Sequence, residues 1–329
     1  MIKSKSIILH VLLQLITISL CTSCKTKAFT RKTQPTEIET ANTLAKDGLY
    51  KEAIYAFKRV LSKKPKNLTV HRNLGMIYVK TGDYSKAIKH LEKSLSAYAD
   101  NFETNFYLGE AYRAREKFGP AIFRYNKALE IKPKNEKTLK ALAWTYFKIR
   151  FYSEAIATTT KLKKTSSHDT QITIIQARTY LKIGRTAKAL KIIQKGKALS
   201  KKNDLPYFKS VEGDIFYKMG KIEKAETLYR EALKDQPLLA GALLGLGKTM
   251  IKLGKDTKIA IRYIERSIRL KPRLKESLFL LGKYYETKNP SKAKKYYKNF
   301  KKYASTDPEF QKEIQHARMF SGKKPKTRL

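Results

Sequence analysis

An alanine recurs along this chain at a nearly constant step of about 34 residues. The first five members of this ladder are equally spaced, and three more follow at slightly longer or shorter steps. A period of this length predicts stacked helix pairs, because one such unit is too small to bury its own apolar face. The function is therefore expected on the surface of the stack. The ladder alanines are Ala53, Ala87, Ala121, Ala155, Ala189, Ala225, Ala260 and Ala293.

About twelve residues before each ladder alanine stands a second small residue, and a large apolar residue usually follows it three positions later. Apolar residues within a unit recur every three or four positions, which is helical spacing. We expect the second small residue to meet the ladder alanine, so that the two helices of a unit approach closely. Each unit has two apolar helical stripes, and a glycine often stands between them, where a left-handed residue can end a helix. These glycines are Gly82, Gly184, Gly220 and Gly254. The second set comprises Ala41, Gly75, Gly109, Ala143, Ala177, Gly213, Gly247 and Gly282.

This pattern resembles the tetratricopeptide repeat family over residues 34 to about 307. The resemblance implies an all-α fold, a right-handed superhelical solenoid of about eight helix-turn-helix units with a C-terminal capping helix. Asp307 is the predicted N-cap of that last helix and Pro308 its first turn. The predicted segments are 1–23 (signal peptide), 24–33 (lipidated cysteine and basic linker), about 34–67, 68–101, 102–135, 136–169, 170–205, 206–239, 240–274 and 275–306 (repeat units), 307–320 (capping helix) and 321–329 (basic tail).

The N-terminal segment 1–24 has a different character. Lys3 and Lys5 precede an apolar stretch over 7–21, which is shorter than the roughly 20 apolar residues that span a membrane. This arrangement is typical of a secretory signal. Small residues directly before Cys24 resemble the bacterial lipoprotein signal, which implies lipidation of Cys24 and anchoring at a bacterial membrane, in the periplasm or cell envelope. An uncleaved anchor and a plain secretory signal are the alternatives.

The net charge is the second large feature. The chain has 71 lysine and arginine residues against 28 aspartate and glutamate residues, a formal charge of +43. Such a charge favours acidic partners, and anionic lipid or an anionic envelope polymer are candidates. The alternative is a solvated, lysine-rich surface with no dedicated partner. Nucleic acid is not expected as a partner, because the chain carries an export signal and no nucleic-acid-binding motif.

The sequence argues against an enzyme. Residues 242–249 (ALLGLGKT) match a loose phosphate-binding loop, but the repeat register places Gly247 inside a helix, where backbone amides are already bonded. The histidines lie in different units without ligand spacing, so no metal and no cofactor is predicted.

The resemblance also implies that the first helix of each unit lines a concave groove. Trp144, the only tryptophan, then points into the groove beside basic residues, although it could instead be partly buried against the next unit. Lys140, Trp144 and Arg178 are expected to lie together there. The predicted groove residues are Phe106, Arg113, Lys140, Trp144, Phe147, Lys148, Arg178, Lys182, Tyr207 and Tyr217.

The sequence thus predicts a non-enzymatic, membrane-anchored scaffold that binds a protein or peptide in this groove, with a role in envelope assembly by analogy of fold. Aromatic and cationic groups together suit a partner segment with acidic and apolar side chains. The alternative function is an electrostatic tether, in which the whole basic surface binds anionic lipid or polymer.

Overall fold

The computed structural model of the protein describes residues 35–95, 101–163, 169–305 and 307–322. Over those ranges the chain forms seventeen α-helices and no β-strand, which confirms the all-α class. The predicted signal peptide, Cys24, the basic linker and residues 323–329 lie outside the described residues.

The helices alternate as first and second members of eight pairs, and one helix follows the last pair. The first helices are α1 (Glu37–Lys46), α3 (Leu68–Thr81), α5 (Phe102–Ala114), α7 (Glu136–Lys148), α9 (Thr170–Lys182), α11 (Leu205–Lys218), α13 (Ala240–Lys252) and α15 (Lys275–Lys288). The second helices are α2 (Tyr50–Lys63), α4 (Tyr84–Leu95), α6 (Phe118–Ile131), α8 (Tyr152–Lys163), α10 (Thr186–Ala198), α12 (Ile222–Asp235), α14 (Thr257–Leu270) and α16 (Pro290–Ala304), and α17 is Gln311–Gly322.

The ladder alanines lie in the helix interfaces. All eight are 0% exposed, as their fixed spacing predicts. At the five glycines of the second set, the nearest side chain is the one four residues beyond the ladder alanine, and Gly247 also approaches the backbone oxygen of the ladder residue Ala260. A Cβ atom added to Gly109 would lie 2.5 Å from Tyr125 Cε1, and one added to Gly213 would lie 2.8 Å from Tyr229 Cε1. At Gly109 and Gly213 a tyrosine ring therefore occupies the space that a Cβ atom would need.

Several first helices begin at a polar cap that repeats with the same period. The side chains of Asn67, Asn101, Asn135 and Asp169 each accept a hydrogen bond from the backbone N–H three residues later, at 2.9–3.1 Å. Each cap satisfies an N–H that has no partner within its helix, and such caps typically contribute about 1 kcal/mol. The repeat is thus encoded in polar as well as apolar positions.

The turn inside seven of the pairs contains one residue with positive φ. The four glycines predicted there, Gly82, Gly184, Gly220 and Gly254, have φ between 65° and 83°, and Gly48 has φ 80°. The corresponding turns of the third and fourth pairs use Glu116 (φ 59°) and Arg150 (φ 68°) instead.

The C-terminal segment folds slightly differently from the prediction. Asp307 caps a short 3-10 helix over Pro308–Phe310, and α17 starts only at Gln311. Ile314 and Ala317 of α17 are buried against the aromatic residues of α16, so this helix covers the end of the stack.

The first helices define the inner side of the stack. Along the first seven pairs, neighbouring first helices pack directly against each other. Each second helix, in contrast, is flanked by first helices. Since the elements that approach most closely lie on the inside of a curved stack, the first helices line its concave surface.

Candidate partner-binding groove

Trp144 lies near the middle of this inner surface, on α7. The guanidinium carbon of Arg113 lies 5.1 Å from the centre of the indole ring, and Lys148 Nζ lies 5.5 Å from it. Phe118 packs beside the ring at a centroid distance of 6.3 Å. The indole is half-buried, so the ring is partly covered by its neighbours and keeps an accessible portion. Two cations on one ring give a mixed aromatic and cationic surface.

Lys148 differs from the other cations near the groove. Within 4.0 Å of its ammonium group, no carboxylate of the described residues is found. Burial among the surrounding side chains and the positive charge of Lys275 lower the pKa of Lys148. The side chain is nevertheless accessible to solvent, so a ligand can reach it.

Arg113 belongs to a charged network that fixes its position. It pairs with Glu110 at 2.6 Å, and Tyr125 donates a hydrogen bond to Glu110 Oε1 at 2.5 Å. Arg113 Nε donates to the Tyr125 hydroxyl at 3.1 Å. Burial and the Glu110 charge raise the pKa of Tyr125 well above its usual value, so the phenol stays protonated and holds the carboxylate. The same ring packs under Gly109, and repeat packing thereby positions a groove residue.

A second network has the same design further along the stack. Tyr229 packs under Gly213 and donates to Asp214 Oδ1 at 2.8 Å, while Arg178 approaches Asp214 at 3.8 Å. Burial raises the pKa of Asp214. Lys248, from the segment that resembles a phosphate-binding loop, lies within α13, pairs with Glu276 at 2.5 Å and covers the Tyr217 ring at 4.6 Å.

The remaining predicted groove residues are distributed along the first helices. Phe106 packs on Tyr107 and Phe102, Phe147 contacts Tyr152, and Tyr207 is 39% exposed. Lys140 forms an ion pair with Asp169, and Lys182 forms one with Glu309.

Lys140 and Arg178 lie on first helices, as Trp144 does, and their grouping with Trp144 on the concave face stays a prediction. The cations on the Trp144 ring are Arg113 and Lys148, whereas Lys140 and Arg178 face carboxylates of their own. The groove therefore alternates in charge, and its cations are mostly paired.

Sequence reasoning missed the acidic partners Asp169, Glu276 and Glu309 and the groove position of Lys248. Asp169 and Lys248 fall at regular repeat positions, so the register could have located them. Glu309 lies beyond the last helix pair, where no register applies.

Two family models, both described as tetratricopeptide repeat, match residues 44–104 and 103–238, which together are more than half of the chain. The chain belongs to the tetratricopeptide repeat family, whose members are typically non-enzymatic scaffolds for protein–protein interaction. A search of curated protein sequences finds no match to this chain.

Solved structures with the same fold include a tetratricopeptide repeat protein from Parabacteroides merdae. It has a TM-score of 0.66 and 18% identity, over 74% of this chain and 96% of that one. Yeast Tom70 has a TM-score of 0.59 and 16% identity, over 83% of this chain and 59% of that one. The hetero-tetramer Cut9–Hcn1 of the APC/C has a TM-score of 0.57 and 16% identity, over 85% of this chain and 55% of that one. This chain thus spans just over half the length of the latter two, and all three likenesses establish the fold alone.

Two further features bear on function. Among the described residues, no group of three or more histidine, cysteine, aspartate or glutamate side chains is arranged to hold a metal ion. In the same parts of the chain, no helix has the length and apolar character that crossing a membrane requires.

Proposed function

We propose that the protein is a non-enzymatic scaffold that binds an extended segment of a partner protein along its first-helix groove. The observation that carries this proposal is the half-buried Trp144 ring between Arg113 and Lys148 on the inner surface. A large, rigid aromatic side chain near the centre of a concave surface is the type of residue that dominates binding energy. Assembly with another protein, as in the Cut9–Hcn1 hetero-tetramer, is consistent with this use of the fold.

The partner segment should combine acidic and apolar side chains. Lys148 is a groove cation without a carboxylate in an ion pair among the described residues, and burial, followed by the charge of Lys275, disfavours its charged form. A carboxylate from a partner would favour the charged form and gain a charge-assisted hydrogen bond. Phe147, Tyr207 and Tyr217 supply apolar surface on the same side of the stack.

The groove proposal is tested by Trp144→Ala, with partner proteins that co-purify with the chain as the readout. Loss of an aromatic anchor worth about 2 kcal/mol should weaken binding about thirtyfold. Phe123→Ala is the matched control, because Phe123 is 54% exposed on the second helix α6 and lies away from the groove. If Phe123→Ala weakens binding as much as Trp144→Ala, the partner does not use the groove.

We further propose that the protein is exported and that lipidation of Cys24 anchors it at a bacterial membrane, in the periplasm or cell envelope, where it serves in envelope assembly. Cys24 follows small residues at the end of the apolar stretch over 7–21. Cys24→Ser should release the protein into the soluble fraction and abolish labelling with a fatty-acid analogue. Labelling that persists in this variant would refute the anchor.

The second candidate function is an electrostatic tether to anionic lipid or an envelope polymer, and the net charge of +43 favours it. Surface attraction of this kind weakens steeply with salt, because the Debye length falls to about 3 Å at 1 M. A tether should bind vesicles that contain phosphatidylglycerol without fixed stoichiometry and lose them at high salt. Groove binding should saturate at a defined ratio and withstand moderate salt.

A further inference from the structure

Two distant parts of the stack contact each other across the groove. Arg150, in the turn between α7 and α8, pairs with Asp307 at 2.7 Å and with Glu309 at 3.1 Å. Lys182, at the end of α9, also pairs with Glu309, and Lys275 of α15 pairs with Asp307 at 2.8 Å. The contacts of Arg150 and Lys182 join residues that are 127 to 159 positions apart in sequence. The C-terminal acids thus reach the fourth and fifth units.

A second ion pair, beside the contacts of Arg150, connects the third unit to the turn before the eighth unit. Arg273, in the turn between α14 and α15, pairs with Glu116 of the third unit at 3.2 Å. Lys148 of the groove lies close enough to Lys275, Glu116 and Asp307 for all three charges to act on it. The bridging residues therefore surround the end of α7 that carries the predicted partner site.

The backbone of the two bridging turns provides an independent observation. Gly48, Gly82, Glu116, Arg150 and Gly184 are equally spaced along the sequence and all have positive φ. An L side chain is strained in this region, whereas glycine is not. The two turns that replace glycine are the two whose side chains reach across the groove. Glu116 and Arg150 thus make ion pairs across this space that a glycine at the same position cannot make.

We infer that Arg150, Lys182 and Lys275 form a binding site for a short acidic segment, and that Asp307 and Glu309 of the same chain occupy it. An acidic partner segment binds at this site by displacing them. This inference rests on the proposed function and names the chemistry that the partner must supply at one end of the groove.

Charge and exposure both support this assignment. Because the chain is strongly cationic, its middle and C-terminal units repel each other, and Asp307 and Glu309 provide local negative charge between them. The Glu309 side chain is 45% exposed and that of Arg150 is 33% exposed. Ion pairs this open to solvent are individually weak, so a competing carboxylate segment can replace them.

The first arm of the test needs no partner. The full-length double variant Asp307→Asn and Glu309→Gln removes both charges, while asparagine can still cap the 3-10 helix. Small-angle X-ray scattering should show a larger radius of gyration than for the native chain. The control is Glu52→Gln with Glu223→Gln, which changes the net charge equally at two exposed residues of second helices. If both double variants scatter like the native chain, or expand equally, the closure is not held by these acids.

The second arm uses a fluorescently labelled octaglutamate peptide and its anisotropy. The peptide should bind the Asp307/Glu309 variant at least tenfold more tightly than the native chain or the charge-matched control. Adding Arg150→Gly to that variant should remove the gain, and the turn should tolerate it because five other units have glycine there. Equal affinity for all chains would overturn the inference. The two claims can fail separately. If the Asp307/Glu309 variant expands but the Trp144 test finds no groove partner, the proposed function is refuted, while the contact of these acids with Arg150 and Lys182 is supported.

Discussion

The close approach of the helices at Gly109 is tested directly by Gly109→Ala. The added Cβ would lie 2.5 Å from Tyr125 Cε1 and 2.6 Å from Cδ1, well inside van der Waals contact. Tyr125 cannot swing aside without cost, because its hydroxyl is hydrogen-bonded to both Glu110 and Arg113. Overpacking of this kind costs about 1–3 kcal/mol. The better helix propensity of alanine offsets up to about 1 kcal/mol of that loss in the free energy of unfolding.

Gly119→Ala is the matched control, because Gly119 is helical and no heavy atom lies within 4 Å of its added Cβ. This variant gains the propensity term alone, so the difference between the two variants isolates the clash at about 1–3 kcal/mol. Urea denaturation followed by circular dichroism measures both, and hydrogen exchange in the third unit checks that the loss is local, since repeats need not unfold together. Equal midpoints for the two variants would refute the predicted packing.

Three further predictions concern the packing and the titratable groups. Ala155→Leu places three carbons in a fully buried contact and should cost about 1–3 kcal/mol in thermal or urea unfolding, whereas Lys161→Ala on the exposed face of the same helix should cost far less. Burial, with neighbouring His71 and lysines, lowers the pKa of His90 from 6.5 to about 4, so the unfolded chain binds a proton that the native chain does not. Stability should therefore fall by roughly 1–3 kcal/mol as the pH drops from about 6.5 to about 4, and His90→Gln should flatten that pH profile. Trp144→Ala should unfold within a few degrees of the native chain if the indole mainly serves binding, and a large drop in Tm would make Trp144 a core residue.

Most of the fold could be predicted from the repeat register. Small residues such as Gly109 and Ala121 recur because the two helices of each pair must approach each other closely. Their spacing alone reveals that requirement. The left-handed turns at Glu116 and Arg150 were not predicted, because no glycine marks them. Their regular spacing between Gly82 and Gly184 was the available signal.

The candidate site could be predicted only in part. The register assigns Trp144 and Lys148 to a first helix, but it does not determine which carboxylate each cation meets. The contact of Arg150 with Asp307 depends on the rotation accumulated over four units, and small changes in each unit decide whether it forms. The accumulated rotation cannot be derived from a local sequence pattern.

The claim that the groove binds a partner protein is tested most directly by photo-crosslinking in intact cells. A photoreactive phenylalanine replaces Tyr207, an exposed tyrosine on the first helix α11, or Tyr55, a more exposed tyrosine on the second helix α2. Groove binding predicts one discrete adduct from position 207 and none from position 55. Adducts of equal yield from both positions, or none from position 207, would contradict the groove as the binding surface.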